Sequence, residues 1–156
     1  MGAFDAERVA LLSIRPEFAR AIFAGRKSVE FRRARLADDI STVVVYATQP
    51  VGLILGWFTV TCISESTPDG LWRRFRLNGA IGRRDYFDYF DGAQRAFGIE
   101  IEDATPLKRP LSLDELFPGL RPPQSFQYLA ADDVSRAIAT KGDRLPRVRL
   151  YSALAF

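Results

Sequence analysis

Short apolar runs of strand length dominate the first part of the chain. Residues 8–14, RVALLSI, and 42–47, TVVVYA, are continuous apolar runs typical of buried strands. Residues 28–33, SVEFRR, alternate with a period of two. Residues 53–64, LILGWFTVTCIS, form a longer run in which Gly56 suits a bend or bulge. The pattern predicts four strands in this part of the chain.

One helix is predicted between the first two of these strands, within residues 15–25 (RPEFARAIFAG). Pro16 stands at the first helical position and Gly25 follows the end, as helix punctuation favours. Phe18 and Ile22 fall on one face. We therefore expect this helix to pack against the sheet.

The second half alternates short helices with further strand-like segments. Helices are predicted at 71–76, 83–92 and 132–139, and strands at 95–102 and 146–154. A capping box runs from Ser112 to Glu115. Residues 118–129 are predicted to form a proline-stiffened loop. Five or six strands with short connections favour a strongly bent mixed sheet or barrel over a doubly wound sheet. The fold class is α+β, and 156 residues are most simply one domain.

Composition narrows the class of protein. No apolar run approaches the roughly 20 residues of a membrane helix, and the N-terminus lacks a secretory h-region. The single cysteine, Cys62, cannot form an internal disulfide. We expect a soluble cytoplasmic protein that does not associate with membranes; the sequence leaves its oligomeric state open.

The chain contains no histidine, which excludes Ser-His-Asp and Cys-His catalysis and every zinc site that uses histidine. Any chemistry must use Lys, Asp/Glu, Tyr, Ser/Thr or a carboxylate-bound magnesium. No cofactor or metal site is predicted. The net charge is +3, and only three of the 22 basic residues are lysines. Lys27 is conspicuous among them, because an ammonium, unlike a guanidinium, can lose its proton when desolvated.

The segment AGRKSVEFRR, residues 24–33, joins the helix to the second strand. It is not a phosphate-binding loop, because the required earlier glycine is missing. Gly25, Lys27, Glu30 and Arg32 instead match the G-x-K-x-x-E-x-R signature of the ASCH domains, members of the PUA-like superfamily. With the flanking strands, most of residues 9 to 130 resembles this family. The later part is similar to its extended bacterial branch of predicted transcriptional regulators.

The resemblance implies a small PUA-like β-barrel with the early helix at one mouth, inserted short helices and a C-terminal extension from about residue 107. It also implies binding of RNA or a modified nucleobase in a cleft lined by the signature segment. Family members have been assigned roles as RNA-binding modules, ribonucleases and N4-acetylcytidine amidohydrolases. The amidohydrolase pattern matches Lys27 but has threonine where this chain has Glu30.

Two interpretations of the signature segment follow from strand alternation. Val29 and Phe31 should face the core, which leaves Glu30 and Arg32 in a cleft or in solvent. In the first interpretation they form an exposed pair beside a solvated Lys27. In the second, Lys27 and Glu30 are the working residues of a binding or catalytic cleft.

Arginines and aromatic residues supply the remaining candidates, because arginines bind phosphates and exposed rings stack on unpaired bases. We expect Tyr46 and Thr48 at the barrel mouth, and Tyr86 and Tyr89 in a groove. The candidate nucleic-acid contacts are Arg15, Arg26, Lys27, Arg32, Arg33, Tyr46, Thr48, Tyr86, Tyr89, Gln124, Ser125 and Phe126.

Three functions are consistent with these features. The first is a module that binds RNA, other single-stranded nucleic acid or a modified nucleoside, in a regulatory role. The second is a hydrolase, acting on N4-acetylcytidine or on RNA, that uses Lys27 and Glu30 as catalytic residues. The third is a protein-interaction domain whose basic cleft is incidental.

Overall fold

The computed structural model describes residues 7–145, which form one six-stranded mixed sheet with five helices packed around it. The strands are β1 (Arg8–Ile14), β2 (Val29–Arg32), β3 (Thr42–Ala47), β4 (Leu53–Ser66), β5 (Ala96–Leu111) and β6 (Phe126–Ala130). The helices are α1 (Pro16–Phe23), α2 (Pro68–Phe75), α3 (Arg83–Tyr89), α4 (Leu113–Leu116) and α5 (Ala131–Ala139).

The sheet has the order β2-β5-β4-β3-β1-β6, in which β1 and β3 are parallel and the other neighbours antiparallel. It is barrel-like but not closed, because β2 and β6 are its two edges. The predicted α+β class and small mixed sheet are confirmed. The candidate functional site described below lies at the opening between these edges.

Both faces of the central strands are buried. Along β3, Val43 and Val45 pack in a cluster that includes residues of α1, whereas Val44 and Tyr46 pack in a cluster beneath α4 and α5. A third cluster joins α2 and α3 to β2 and β5. Helices on both faces explain why β3 is continuously apolar rather than alternating.

Gly56 marks an irregularity in the long strand β4, as predicted. The register with β5 shifts between Ile54 and Gly56. A Cβ on Gly56 would lie 2.2 Å from the carbonyl oxygen of Thr105. Only glycine permits this approach of the two backbones.

Most predicted elements are confirmed, and two are corrected. β1 and β3 have the predicted bounds, and Ser112 and Glu115 form the predicted capping box at α4. Residues 126–129, predicted as the end of the loop at 118–129, belong to strand β6 because they pair with β1. β5 continues nine residues beyond the predicted end at residue 102, to Leu111. The strand predicted at 146–154 lies outside the described residues.

The end of α1 sets the course of the chain into the site. Gly25 adopts a left-handed conformation with φ of 76°, and the backbone N–H groups of Arg26 and Lys27 both donate to the carbonyl of Ala21. This turn directs Lys27 back beneath the helix before β2 begins. Among residues 7–145, no helix has the length and apolarity needed to cross a membrane.

Candidate functional site

A cavity of about 790 Å³ lies between the end of β1, the start of α1, β2, α3 and the loop that precedes β6. Its volume lies within the range of pockets for small organic ligands. Ser13, Arg15 and Phe18 come from β1 and α1, whereas Gln124 and Ser125 come from the loop before β6. The signature segment supplies the floor.

Lys27 is buried on this floor, with 3% of its surface exposed. Its Nζ donates to the backbone carbonyl of Gly79 at 2.6 Å and lies 3.3 Å from Oε2 of Glu30. The rings of Phe18 and Phe31 lie 4.9 and 5.3 Å from the same nitrogen. Burial lowers the pKa of Lys27 below its ordinary value, although the Glu30 carboxylate opposes this shift.

Glu30 and Arg32 are also buried, with 6% and 8% of their surfaces exposed. Nη1 of Arg32 lies 3.5 Å from Oε1 of Glu30, so each oxygen of this carboxylate has a different cationic neighbour. Val29 and Phe31 face the core as alternation predicts. The interpretation of the segment as an exposed pair beside a solvated Lys27 is therefore wrong.

Arg32 spans the opening between the two edges of the sheet. From β2, its Nη1 donates to the carbonyl of Ser13 at 3.2 Å and its Nη2 donates to Oγ of Ser125 at 2.5 Å. The Ser13 hydroxyl in turn donates to the carbonyl of Pro123 at 2.5 Å. A buried guanidinium thus connects elements that backbone pairing leaves apart.

Helix α3 forms the opposite wall of the cavity with Asp85, Asp88 and Tyr89. Nη1 of Arg33 donates to the carbonyls of Tyr89 and Asp91 at 2.7 and 3.0 Å, which fixes the end of α3 to the residue after β2. Tyr89 keeps 38% of its surface exposed. Partial burial raises the pKa of its hydroxyl, an effect that the Arg32 charge opposes.

The charge around the cavity is mixed rather than uniformly basic. Four cationic side chains line it, and so do the three carboxylates of Glu30, Asp85 and Asp88. Arg15 and Arg33 are exposed at the rim, whereas Lys27 and Arg32 are buried. The cations therefore form two groups, one on the floor and one facing solvent.

Nine of the thirteen predicted site residues line this cavity: Arg15, Lys27, Glu30, Arg32, Arg33, Thr48, Tyr89, Gln124 and Ser125. Arg26 lines an adjoining cavity of about 320 Å³, together with Phe18 and Asp85. Tyr46, Tyr86 and Phe126 do not line either cavity.

Tyr86 was expected in a groove, but it belongs to the core beneath α3. It has no exposed surface, and its hydroxyl donates to the carbonyl of Pro68 at 2.8 Å. Its ring lies 4.9 Å from that of Phe31 and 4.7 Å from that of Phe90. A backbone acceptor satisfies the polar end of this tyrosine, so its hydroxyl does not require a place at the surface.

Tyr46 and Phe126 lie away from the cavity for a different reason. Tyr46 lies two residues after Val44 on β3, so it shares the face of the strand that packs beneath α4 and α5. Thr48, in the turn after β3, lines the cavity instead. Phe126 opens β6 and packs half-buried against the sheet, with its ring 5.4 Å from that of Tyr128.

Sequence reasoning missed Ser13, Phe18, Asp85 and Asp88 as lining residues. The two aspartates carried a signal, since a spacing of three residues places them on one face of a helix. Phe18 was assigned to the face of α1 that packs on the sheet. In the structure it is half-buried between that core and the cavity. The signal for Ser13 was its place in the Ser-Ile-x-Pro run that leads into α1, which also fits the family resemblance.

This arrangement can bind a polar, flat ligand of about nucleoside size. The floor offers donors and one carboxylate, the walls offer aromatic rings, and the rim offers two arginines. Within residues 7–145, no group of three or more acidic or cysteine side chains is placed to hold a metal ion. The residues present favour recognition through hydrogen bonds and charge.

Comparisons with known proteins agree with this architecture. The model of the ASCH domain family matches residues 12–102. The chain is 33% identical over 134 residues to an ASCH domain-containing ribonuclease of Zymomonas mobilis subsp. mobilis, across 83% of this chain and 90% of that relative. A crystal structure of ASCH from Zymomonas mobilis superposes with a TM-score of 0.77 at 32% identity, covering 85% of this chain and 94% of the other. The N-terminal domain of Staphylothermus marinus McrB, 11% identical with a TM-score of 0.56 over 86% of this chain and 94% of that one, shares the fold.

Proposed function

We propose that this chain, which belongs to the ASCH domain family of the PUA-like superfamily, binds single-stranded RNA and takes one unpaired nucleotide into the cavity. The observation that carries the proposal is the buried array of Lys27, Glu30 and Arg32 on the floor of a 790 Å³ cavity. The desolvation cost of burying these three charges can exceed the gain from pairing them. A surface that only covered the core would not need them.

The division of charge supports an arrangement with the base inside and the phosphates outside. On the floor, Lys27 and Arg32 are already paired with the Glu30 carboxylate, which makes them less available to a phosphate group, and Asp85 and Asp88 lie exposed on the wall. The exposed Arg15 and Arg33 at the rim are placed for the flanking phosphates. Unpaired bases are the usual targets of sequence-specific RNA recognition, because they can leave the stack and enter a pocket.

A cavity-filling variant tests this proposal without removing a charge. Ala34 is exposed and lines the cavity, so Ala34→Trp should obstruct it. The matched control is Ala139→Trp, at an exposed position of α5. Fluorescence anisotropy with labelled single-stranded RNA should show roughly five- to 150-fold weaker binding for Ala34→Trp, given ~1–3 kcal/mol per stacked base. Equal affinity of the two variants would contradict the proposal.

A second candidate function is hydrolysis of RNA. Two observations favour it: the lowered pKa of Lys27 beside a carboxylate, and the name ribonuclease carried by the Zymomonas relative. The free amine of Lys27 would take the proton of a ribose 2′-hydroxyl, whose oxygen attacks the adjacent phosphorus. The 5′-oxygen of the next nucleotide leaves and gains a proton from water. Arg32 would stabilise the charge that develops on the phosphoryl oxygens.

Product analysis separates binding from turnover. Labelled RNA incubated with the wild type should yield shorter fragments that end in a cyclic phosphate if this candidate holds. Lys27→Arg keeps the charge but cannot act as a base, so it should bind RNA without cleaving it. Cleavage that persists in Lys27→Arg would reject the lysine mechanism.

The amidohydrolase alternative is tested by chromatography of N4-acetylcytidine treated with the same proteins. The absence of product would reject this alternative.

A further inference from the structure

Glu30 retains hydrogen-bonding capacity after its two ion pairs are formed. An ionised carboxylate accepts at about four lone-pair positions. Lys27 lies 3.3 Å from one oxygen and Arg32 lies 3.5 Å from the other, so each oxygen has one cationic neighbour. Each oxygen therefore keeps capacity for one further donor. Glu30 also lines the cavity, which makes it available to a ligand there.

We propose that the cavity selects guanine, with Glu30 accepting hydrogen bonds from N1–H and from the 2-amino group; the inference rests on the proposed function of RNA binding. Two adjacent donors have about the spacing of the two oxygens of a carboxylate. Among the four RNA bases, guanine alone presents two adjacent donors on its Watson–Crick edge. Each oxygen of Glu30 would then receive one hydrogen bond from the base.

The other three bases present a mismatch to the same carboxylate. Adenine and cytosine have a ring-nitrogen lone pair beside the amino group, and uracil has a carbonyl oxygen on each side of its N–H. In each case a lone pair would lie against a carboxylate oxygen. Buried polar groups that are left unpaired, or that face a like partner, carry a large free-energy penalty. The discrimination thus comes from exclusion as well as attraction.

The cationic neighbours of Glu30 complete the match to guanine. In guanine, the O6 acceptor lies beside N1–H. Whichever oxygen of Glu30 accepts the N1–H hydrogen bond, O6 would therefore lie near the cationic neighbour of that oxygen, Lys27 or Arg32. The half-buried Phe18 and the partly exposed Tyr89 line the same cavity and offer apolar ring surfaces to the base. In this arrangement the Watson–Crick edge of the base contacts the floor of the cavity, and the two faces of the base contact its walls.

Single-base substitution in a fixed RNA tests the inference on the wild-type protein. The probes are labelled eight-residue oligouridines that carry one central guanosine, inosine, adenosine or cytidine, compared by anisotropy. Inosine retains N1–H and O6 but lacks the 2-amino group. We expect the guanosine RNA to bind about tenfold more tightly than the inosine RNA, as for a good bidentate contact. Adenosine, cytidine and uridine should be weaker again.

The outcomes separate this inference from the proposed function. Comparable binding of all the RNAs would overturn guanine selection and leave RNA binding intact. Binding of none of them would overturn both. Equal affinity for the guanosine and inosine RNAs would exclude the two-donor contact to Glu30.

A substitution of Glu30 tests which residue makes the discrimination. Glu30→Gln keeps the size of the side chain but replaces one acceptor by a donor, so the ratio of guanosine to inosine affinities should fall to about one. The control is Glu102→Gln, at an exposed position of β5, which should keep the ratio. The readout is a ratio for each protein, which a uniform loss of active protein does not change. An unchanged ratio in Glu30→Gln would overturn the assignment.

Discussion

Lys27 combines two opposing influences on one ammonium group. Burial disfavours the charged form, while Glu30 and the carbonyl of Gly79 stabilise it. The shift of its pKa is downward, so burial is the larger influence. A lysine of this kind can hold a ligand as a cation, and its free amine becomes available at lower pH than that of a solvated lysine.

The lowered pKa of Lys27 predicts a specific pH dependence of stability. Between its pKa in the folded protein and the ordinary value of 10.5, the unfolded chain binds more protons than the folded one. Stability attributable to Lys27 must therefore rise with pH through that window. Urea unfolding between about pH 7 and 10 should show the wild type gaining free energy of unfolding relative to Lys27→Met. Lys108→Met, which removes an exposed lysine, is the control for the substitution itself. A difference that falls as the pH rises would refute the direction of the shift.

Gly79 tests the packing that holds Lys27 in place. A Cβ on Gly79 would lie 2.1 Å from the ring of Phe31, and the Gly79 carbonyl is the acceptor of the Lys27 ammonium. Gly79→Ala should therefore destabilise the fold by about 1–3 kcal/mol, as overpacking does. Gly82→Ala is the control, because nothing lies within 4 Å of its added Cβ. Equal thermal stabilities of the two variants would show that the loop accommodates the methyl group.

The signature residues on the cavity floor were predictable because they are local. Lys27, Glu30 and Arg32 follow from four matched positions and strand alternation. Their burial was not predictable, because it depends on α3 and on the loop before β6, which are distant in sequence. The misplacement of Tyr86 has the same origin. A tyrosine in a short helix is suited both to a groove and to a core that offers a carbonyl acceptor. In this structure the Pro68 carbonyl accepts from the Tyr86 hydroxyl, so Tyr86 lies in the core.

Among the elements, α3 is connected to the end of β2 by hydrogen bonds from a single side chain, that of Arg33. Arg33, one residue beyond β2, donates to two carbonyls at the end of α3, and this helix carries Asp88 and Tyr89 on the cavity wall. A helix of seven residues has little intrinsic stability, so such tertiary contacts determine its position.

Removing this contact should loosen the end of α3. We expect Arg33→Ala to accelerate hydrogen exchange of the amides in residues 86–92, because their local opening no longer breaks two charged hydrogen bonds. Arg84→Ala removes an exposed arginine of α3 itself and serves as the control. Identical exchange in Arg33→Ala and wild type would show that packing of Tyr86 and Phe90 holds the helix alone.

The boundaries of helices and strands were predictable where residues within the element itself define them. Apolar runs define β1 and β3, and the proline and glycine at its ends define α1. β6 was missed because Phe126–Ala130 becomes a strand only through pairing with β1, more than a hundred residues away. β5 was predicted too short because its prolines suggest an end, whereas Pro106 lies opposite the irregularity at Gly56.

At the scale of the whole molecule, the charge is modest and its distribution matters more than its sum. The net charge of +3 does not by itself indicate nucleic-acid binding. The proposed function uses the exposed Arg15 and Arg33 at the cavity rim for phosphates and the paired charges on the cavity floor for the base. The open edge of the barrel is where the rim and the floor meet.

This distribution predicts a moderate dependence of RNA affinity on salt. The logarithm of the association constant should fall linearly with the logarithm of salt concentration, by about 0.7 per phosphate contact for a single strand. Arg15→Ala should flatten this slope by about one such contact. Arg136→Ala, on the exposed face of α5, should leave the slope unchanged. An equal change of slope in both variants would mean that the rim does not contact phosphate.

Ultraviolet crosslinking of bound single-stranded RNA, followed by mass spectrometry of the peptides, shows whether a base enters the cavity, because it locates the base on the protein. We expect crosslinks to Phe18 and Tyr89, two of the aromatic rings that line the cavity, and their loss in Ala34→Trp. Crosslinks confined to α4 and α5, on the far face of the sheet, would contradict it.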